Sequence, residues 1–380
     1  MTINITKKKN EELVRKFGVL KEFVLKNSKD EVLIENLHEI EQKICEKKYG
    51  LIFEKHKEKN EDFVKNHQLE FSENTELSII GKRNGIEHFL IESENLLALK
   101  VLERKYKKRI TVISIDPPYN TGNEFLIYND SDYEDSNDVY SHSKWLSFME
   151  KRLRIAYELL VPNGVMFINI DETQIGCLIL LCQQIFQEKN VDVLIWPKID
   201  PKYDENRVEK PFFNVQITHE YVILCYKDRK STKFNKMLRR PNYSDFSELE
   251  KNFSMETILN ELGTTSSAKD ELKAIFGSRE VFSTPKPRKM IKEFIRVASG
   301  PNSIILDFFA GSGTAGHAVI DLNNEDGGQR QFILINNNEN NICREIAYER
   351  IKRVIKTSQY EDSLKYYQIQ SVYRQGVGRT

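Results

Sequence analysis

Residues 113–125 read ISIDPPYNTGNEF. Val112, Ile113 and Ile115 close an apolar run with the character of a buried strand. Pro117 and Pro118 lack the N–H that a central strand needs, so they end the run and stiffen its exit. Asp116 and Tyr119 are thereby presented on a rigid loop at the C-terminal end of a strand. In open α/β sheets that is where ligands bind, and an acid beside an aromatic ring suits a planar polar group.

A second stretch, LDFFAGSGTAGHAV at 306–319, has the same grammar. Ile304, Ile305 and Leu306 run into Gly311-Ser312-Gly313, and a helix is predicted from Thr314. Glycines let a backbone approach a ligand closely, and a helix N-terminus offers free N–H groups. The following strand, FILINNNE, ends in Glu339, where an acid can bond ribose hydroxyls. The loop lacks the third glycine of GxGxxG and is not a Walker loop, so alone it fits NAD, FAD or many nucleosides. Either loop by itself could be a structural turn. Two at strand ends of one sheet can face each other across a topological switch point, one for a nucleoside cofactor and one for a planar substrate.

The rest of the chain supplies the sheet. Its 380 residues are 39% hydrophobic and 30% charged, enough for one large α/β domain with an insertion, or for two domains. Lys plus Arg and Asp plus Glu are 57 each, so only local clustering can point to a polyanionic partner. The five cysteines (45, 177, 182, 225 and 343) form no CxxC pair, which favours a reducing compartment and argues against a zinc site. With no signal peptide and no long apolar run, the expected location is cytoplasmic, without a membrane.

The segment 1–76 reads as a helical arm, either a solvated hairpin packed on the core or a contact for a dimer or DNA. From 77 to 196 a turn at Asn84-Gly85, strand 110–115, helix SKWLSFMEKRLRIAYELL, strand VMFINI, helix 173–187 and strand VDVLIW alternate. That alternation predicts a doubly wound, mostly parallel α/β sheet. The range 197–280 breaks the pattern, apart from a strand EYVILCYK, and reads as an insertion. Its stretch KDRKSTKFNKMLRR, 227–240, holds seven Lys or Arg against one acid. Alternation resumes over 281–360, and 361–380 reads as a tail.

With both loops in view, the sequence resembles the amino-methyltransferases of DNA. Asp116-Pro117-Pro118-Tyr119 resembles their catalytic motif, and Phe309-Ala310-Gly311-Ser312-Gly313 their S-adenosylmethionine (SAM) motif. The order, catalytic motif first with a variable region between, resembles the β group. IGKRNGIEHFLIESENLLALKVL, HEYVILCYK, TPKPRKMIKEFI and NNENNIC are similar to the Mod subunits of type III restriction–modification systems. The resemblance fades after SLKYYQI, as if the part the family uses in assembly were missing or replaced.

The resemblance implies a SAM-type Rossmann-like fold and residue roles. Asp116, Pro117, Pro118 and Tyr119 would be catalytic. Lys286 and Pro287 would close over the methionine part of SAM, with Asp307, Phe309–Gly313 and Thr314 beside it and Glu339 on the ribose. Glu94 stands where the family has the Asp of a Gly-Asp pair on adenine; here the pair is Ser93-Glu94. The 197–280 insertion would recognise the target, with Lys230, Lys233, Lys236, Arg239 and Arg240 as candidate DNA contacts. Double-stranded DNA, a second copy of the chain and a restriction (Res) subunit are the implied partners. The reaction implied is methylation of adenine N6, no metal being required; Asp rather than Ser at 116 favours adenine over cytosine N4. Other readings are a stand-alone enzyme, a Mod that binds DNA without efficient methylation, and a protein glutamine methyltransferase, whose motif resembles NPPY. His219-Glu220 reads as structural, since no second His completes HExxH.

Overall fold

A computed structural model describes residues 5–45, 51–81, 86–120, 141–199, 215–235, 237–238, 252–358 and 362–373. The chain divides into two units, 1–52 and 53–380. The first holds α1 (Ile5–Asn27) and α2 (Glu31–Cys45). Asp30 caps α2 by accepting from the N–H groups of Val32 and Leu33, and Lys21 ties the helices by a 2.6 Å bond to Glu41.

The second unit begins with α3 (Lys59–Asn66), β1 (His67–Glu73), β2 (Glu87–Glu92), α4 (Asn95–Lys105) and β3 (Ile110–Ile115). Next come α5 (Ser141–Leu159), β4 (Leu160–Ile170), α6 (Ile175–Phe186), β5 (Val191–Pro197) and β6 (His219–Tyr226). A two-residue pair, β7 (Met237–Leu238) and β8 (Asn252–Phe253), precedes α7 (Thr265–Phe276) and α8 (Arg288–Ala298). The last elements are β9 (Ile304–Asp307), α9 (Thr314–Asp326), β10 (Gln331–Asn336), a π-helical segment Ile342–Tyr348, α10 (Glu349–Thr357) and β11 (Ser363–Tyr373).

Nine strands form one sheet in the order β1-β11-β2-β10-β9-β3-β4-β6-β5. Its centre is parallel, and β6 and β1 run antiparallel to their neighbours. The continuous apolar run of β4 (Val165, Met166, Phe167 and Ile168 all fully buried) is what a strand covered on both faces requires. The steps β2→β3→β4 move along the sheet one way and β9→β10→β11 the other. Right-handed crossovers then place the two helix groups on opposite faces. Consistently, α4, α5 and α6 pack on one another, as do α8, α9 and α10. The stacked, fully buried pair Phe167–Phe294, 4.3 Å between centroids, joins sheet and helix α8. Among the described residues no helix is long and apolar enough to cross a membrane.

Three boundaries read from the sequence need correction. The range 197–280 is not wholly an insertion: β6 pairs with β4 and β5 inside the sheet. The range 361–380 is not a tail, because β11 lies between β1 and β2. Its buried Leu364 and Tyr366 alternate with Lys365 and Tyr367, a period-two signal in a segment of mixed polarity. The N-terminal range includes β1, an edge strand with one fully buried position, Leu69, too little apolar signal to stand out from the helices before it. Asn84-Gly85 and the acidic stretch YNDSDYEDSND lie outside the described residues.

Candidate active site

The order of strands reverses between β9 and β3, which pair in parallel through Val112↔Ile305 and Ile113↔Leu306. The loops that follow these two strands are DPPY and DFFAGSG, so the switch point holds both motifs. A cavity of about 660 Å³ lies there. Asp116, Pro117, Pro118 and Tyr119 line it from one side, and Asp307, Phe309, Ala310, Gly311, Ser312 and Thr314 from the other. Lys286 and Glu339 also line it; Glu94, Pro287 and Gly313 do not.

The first loop is held by its own carbonyls. Asn169 donates to that of Ile115 at 3.0 Å, the Trp145 indole to that of Pro118 at 2.7 Å, and the Thr173 hydroxyl to that of Tyr119 at 3.0 Å. Asn120 ends it with φ 58°, a left-handed conformation that Asn tolerates. The Asp116 side chain is 28% exposed, into the cavity. Its Oδ1 accepts from the Tyr119 hydroxyl at 2.7 Å, and its Oδ2 lies 3.0 Å from Lys286 Nζ.

Glu220 completes the cluster from β6: its Oε2 lies 3.1 Å from the same hydroxyl and 3.2 Å from the same ammonium, and its Oε1 accepts from Lys198 at 3.2 Å. Burial pushes the Asp116 carboxyl upward, and Lys286 opposes it. Burial works against the Glu220 charge too, but Lys286 and Lys198 outweigh it and hold that carboxyl below its ordinary value. The two acids in turn overcome the cost of burying Lys286 and keep it cationic. Burial, with Asp116 and Glu220, holds the Tyr119 hydroxyl well above the usual tyrosine value, so it stays a donor.

The second loop is built on backbone geometry. Gly311 (φ +50°) and Gly313 (φ +78°) occupy the left-handed region, where only glycine is unstrained. A Cβ on Gly311 would stand 3.2 Å from the Phe282 ring. The Ala310 N–H donates to the Ile335 carbonyl at 3.1 Å and the Asn336 amide to that of Gly311 at 2.9 Å, tying the loop to β10. Helix α9 starts at Thr314, as its sequence predicts. Beneath it the buried Arg350 donates to Ser312 Oγ at 3.1 Å and Thr314 Oγ1 at 2.9 Å. Burial pushes Arg350 down to about 10. Among the described residues the Asp307 carboxyl accepts from the Phe309 N–H alone, at 3.0 Å, and burial, with Asp116 nearby, pushes it up to about 8.

Glu94, which the resemblance implies on the cofactor's adenine, is engaged by the protein itself. It caps α4 by accepting from the Leu97 N–H and pairs with the buried Arg152 at 2.6 Å. Arg152 also forks onto Glu58 at 3.0 and 2.9 Å and bonds Asn95, whose amide reaches the Phe308 carbonyl at 3.0 Å. Glu94 therefore supports the second loop from behind. Pro287 is the N-cap of α8, and Gly313 that of α9. Glu220 reads from the sequence as structural, and Trp145, Asn169 and Arg350 have no role there. Arg152 and Trp145 carried a signal, since both sit on the apolar stripe of α5 with Phe148 and Leu159. Of the candidate DNA contacts, Lys230 and Lys233 are exposed, while Lys236, Arg239 and Arg240 lie outside the described residues. Two other cations of that stretch have structural partners: Arg229 forks onto Asp192 at 2.8 and 2.7 Å, and Lys227 donates to the Tyr157 carbonyl at 2.6 Å.

The profile of the DNA methylase family matches residues 110–350, from β3 through both loops to the start of α10. The chain is similar to the StyLTI Mod subunit, a type III restriction-modification enzyme of Salmonella typhimurium, at 27% identity over 73% of this chain and 58% of that protein. It is similar to the EcoPI Mod subunit of Escherichia phage P1 at 27% identity over 67% of this chain and 58% of that protein. To the type II methyltransferase M.KpnI of Klebsiella pneumoniae it is 29% identical, over 67% of this chain and 82% of the relative. The chain thus spans 58% of the length of the two Mod subunits. The chain belongs to the DNA methylase family.

Proposed function

We propose that the chain methylates the N6 amine of an adenine flipped out of duplex DNA, with SAM as methyl donor, as the modification subunit of a type III restriction–modification system. The observation that carries this reading is the shared cavity, in which Asp116 and Tyr119 face the glycine loop across the switch point. SAM fits the residues present. The cavity is of ligand size, Gly311 leaves room that a Cβ would fill, and Glu339 lies on the wall beyond β10. Asn169 Oδ1, buried and without a hydrogen-bond partner among the described residues, adds an acceptor on a residue of the wall.

Unpairing and unstacking an adenine costs a few kcal/mol. Stacking on Tyr119 returns about 1–3 kcal/mol of it. An aromatic amine is a poor nucleophile because its lone pair is delocalised into the ring. Two acceptors, the Asp116 carboxylate and the Pro117 carbonyl, draw its N–H bonds and turn the lone pair toward the methyl. The Pro117 carbonyl has no hydrogen bond among the described residues, whereas those of Ile115, Pro118 and Tyr119 are taken. When bound, SAM supplies a sulfonium-borne methyl group for in-line displacement. The chain's own contribution is position and electrostatics. The basic stretch within 197–280 would hold phosphates.

The 82% coverage of M.KpnI supports a second reading, a methyltransferase that works without a restriction subunit. Incubating the purified chain with duplex DNA and methyl-labelled SAM, then identifying the labelled nucleoside, tests the reaction. N6-methyladenine is expected. Label in N4-methylcytosine would overturn the choice of base, and absence of both transfer and SAM binding would overturn the reading. Co-purification with a Res subunit separates the type III reading from the second one.

A further inference from the structure

In the structure both oxygens of Asp116 are engaged, Oδ1 by the Tyr119 hydroxyl at 2.7 Å and Oδ2 by Lys286 Nζ at 3.0 Å. A carboxylate oxygen can accept a second bond, but each donor it already holds weakens its pull on an amine N–H, so Asp116 serves the amine best when a donor moves off. The released donor needs another partner, because a buried polar group left without one costs about 1–3 kcal/mol. Lys286 is 7% exposed, so water is a poor substitute. Glu220 Oε2 is already 3.1 Å from that hydroxyl and 3.2 Å from that ammonium. It duplicates both of Asp116's partners, and Lys198 holds its other oxygen from the opposite side. Lys198, Lys286, Tyr119 and Asp116 are its polar neighbours, with Asp171 the next acid on the cavity wall.

Resting on the methyl-transfer reading, we infer that Glu220 is a positioning residue: it receives the Tyr119 hydroxyl and the Lys286 ammonium when Asp116 turns to the target amine. The two carboxylates then work as a donor exchange. Asp116 touches substrate, and Glu220 keeps Asp116's former partners in place and stops Lys286 from competing with the amine. Glu220→Gln removes the anion that draws Lys286 away and leaves Asp116 as that ammonium's one carboxylate in the cluster. It also removes a negative charge that disfavours ionisation of Asp116.

The test is steady-state methylation of duplex DNA across pH by the full chain, as wild type, Glu220→Gln and Glu220→Asp. For Glu220→Gln, kcat should fall about 10- to 100-fold, the range that a ~1 Å misplacement costs, with KM for SAM little changed. Its acid limb, the ionisation of Asp116, should move to lower pH. Glu220→Asp keeps the charge but shortens the reach, so kcat should fall while the acid limb stays near that of wild type. A purely structural role would lower kcat in both variants and leave both limbs in place, which would overturn the inference. So would a wild-type kcat and limb in Glu220→Gln. If Glu220→Gln does not fold, Glu220→Asp decides by the split between kcat and KM: a lowered kcat with SAM binding and thermal stability as in wild type supports the inference, and an unchanged kcat, or a kcat that falls together with SAM binding and stability, overturns it. Wild-type protein without transfer would overturn the proposed function and this inference together, whereas transfer indifferent to Glu220 overturns the inference alone.

Discussion

Two acids end neighbouring parallel strands and line one cavity, yet they are held in opposite ways. Asp116 sits among Tyr119, Lys286 and, through them, Glu220 and Lys198. Asp307 has one backbone N–H and, among the described residues, no cation, and burial pushes it up to about 8. The first is supported by side chains from three separate parts of the chain; the second is buried with little to balance its charge. The surroundings of the loops repeat the contrast. DPPY is stiffened by prolines and by side chains bonded to its carbonyls, whereas the glycine loop depends on left-handed φ angles and on buried arginines beneath it. One side of the cavity is organised for a reacting group, the other for close approach of a ligand.

Substitutions can separate the two sides. The largest effect is expected for Asp116→Ala, which should lower methyl transfer by about 10³-fold, on the scale of removing a preorganised transition-state group. SAM binding, measured by calorimetry, should be retained. Loss of both would erase the division of labour. Next, Arg152→Ala takes the buried guanidinium from Glu58, which keeps Lys151 at 3.2 Å, and from Glu94, which keeps the Leu97 N–H, with an expected cost of about 3 kcal/mol in chemical denaturation.

Asp307→Asn should alter the pH dependence of stability. Between its ordinary value of 3.8 and about 8 the folded chain keeps a proton that the unfolded chain has released. This residue's contribution to stability therefore falls as pH rises through that window, by at most about 1.4 kcal/mol per pH unit. The variant should be the less pH-dependent of the two between pH 5 and 8; parallel stability curves would contradict the burial of a protonated acid. The smallest effect is expected for Gly311→Ala, where a side chain in the left-handed region costs about 1–2 kcal/mol and presses on Phe282. Weaker SAM binding with an unchanged response to Asp116→Ala would keep the two sides distinct.

Both loops were legible in the sequence because each interrupts a strand in its own way, proline at one and glycine at the other. The start of α9 at Thr314 followed from the same glycines. Glu220 was not legible: its role depends on β6 lying antiparallel beside β4, and a His-Glu pair before a strand says nothing about that neighbour. Lys286 lines the cavity as expected, but its ion pairs with Asp116 and Glu220 were not legible, the first joining residues 170 positions apart. Glu94 followed the family's alignment, but one extra methylene and a buried Arg152 give it a bracing role. Strands β1, at the sheet's edge, and β11, beside it, were missed because both bury only a few positions among polar and charged residues.

The claim that the two loops form one methyl-transfer site is tested most directly by expressing the chain in a host without adenine methylation and mapping modified bases across its genome, beside Asp116→Ala. The account predicts N6-methyladenine confined to one short sequence motif with the wild-type chain and none with the variant. An unmodified genome with soluble wild-type protein, or the same modification from both chains, would contradict it.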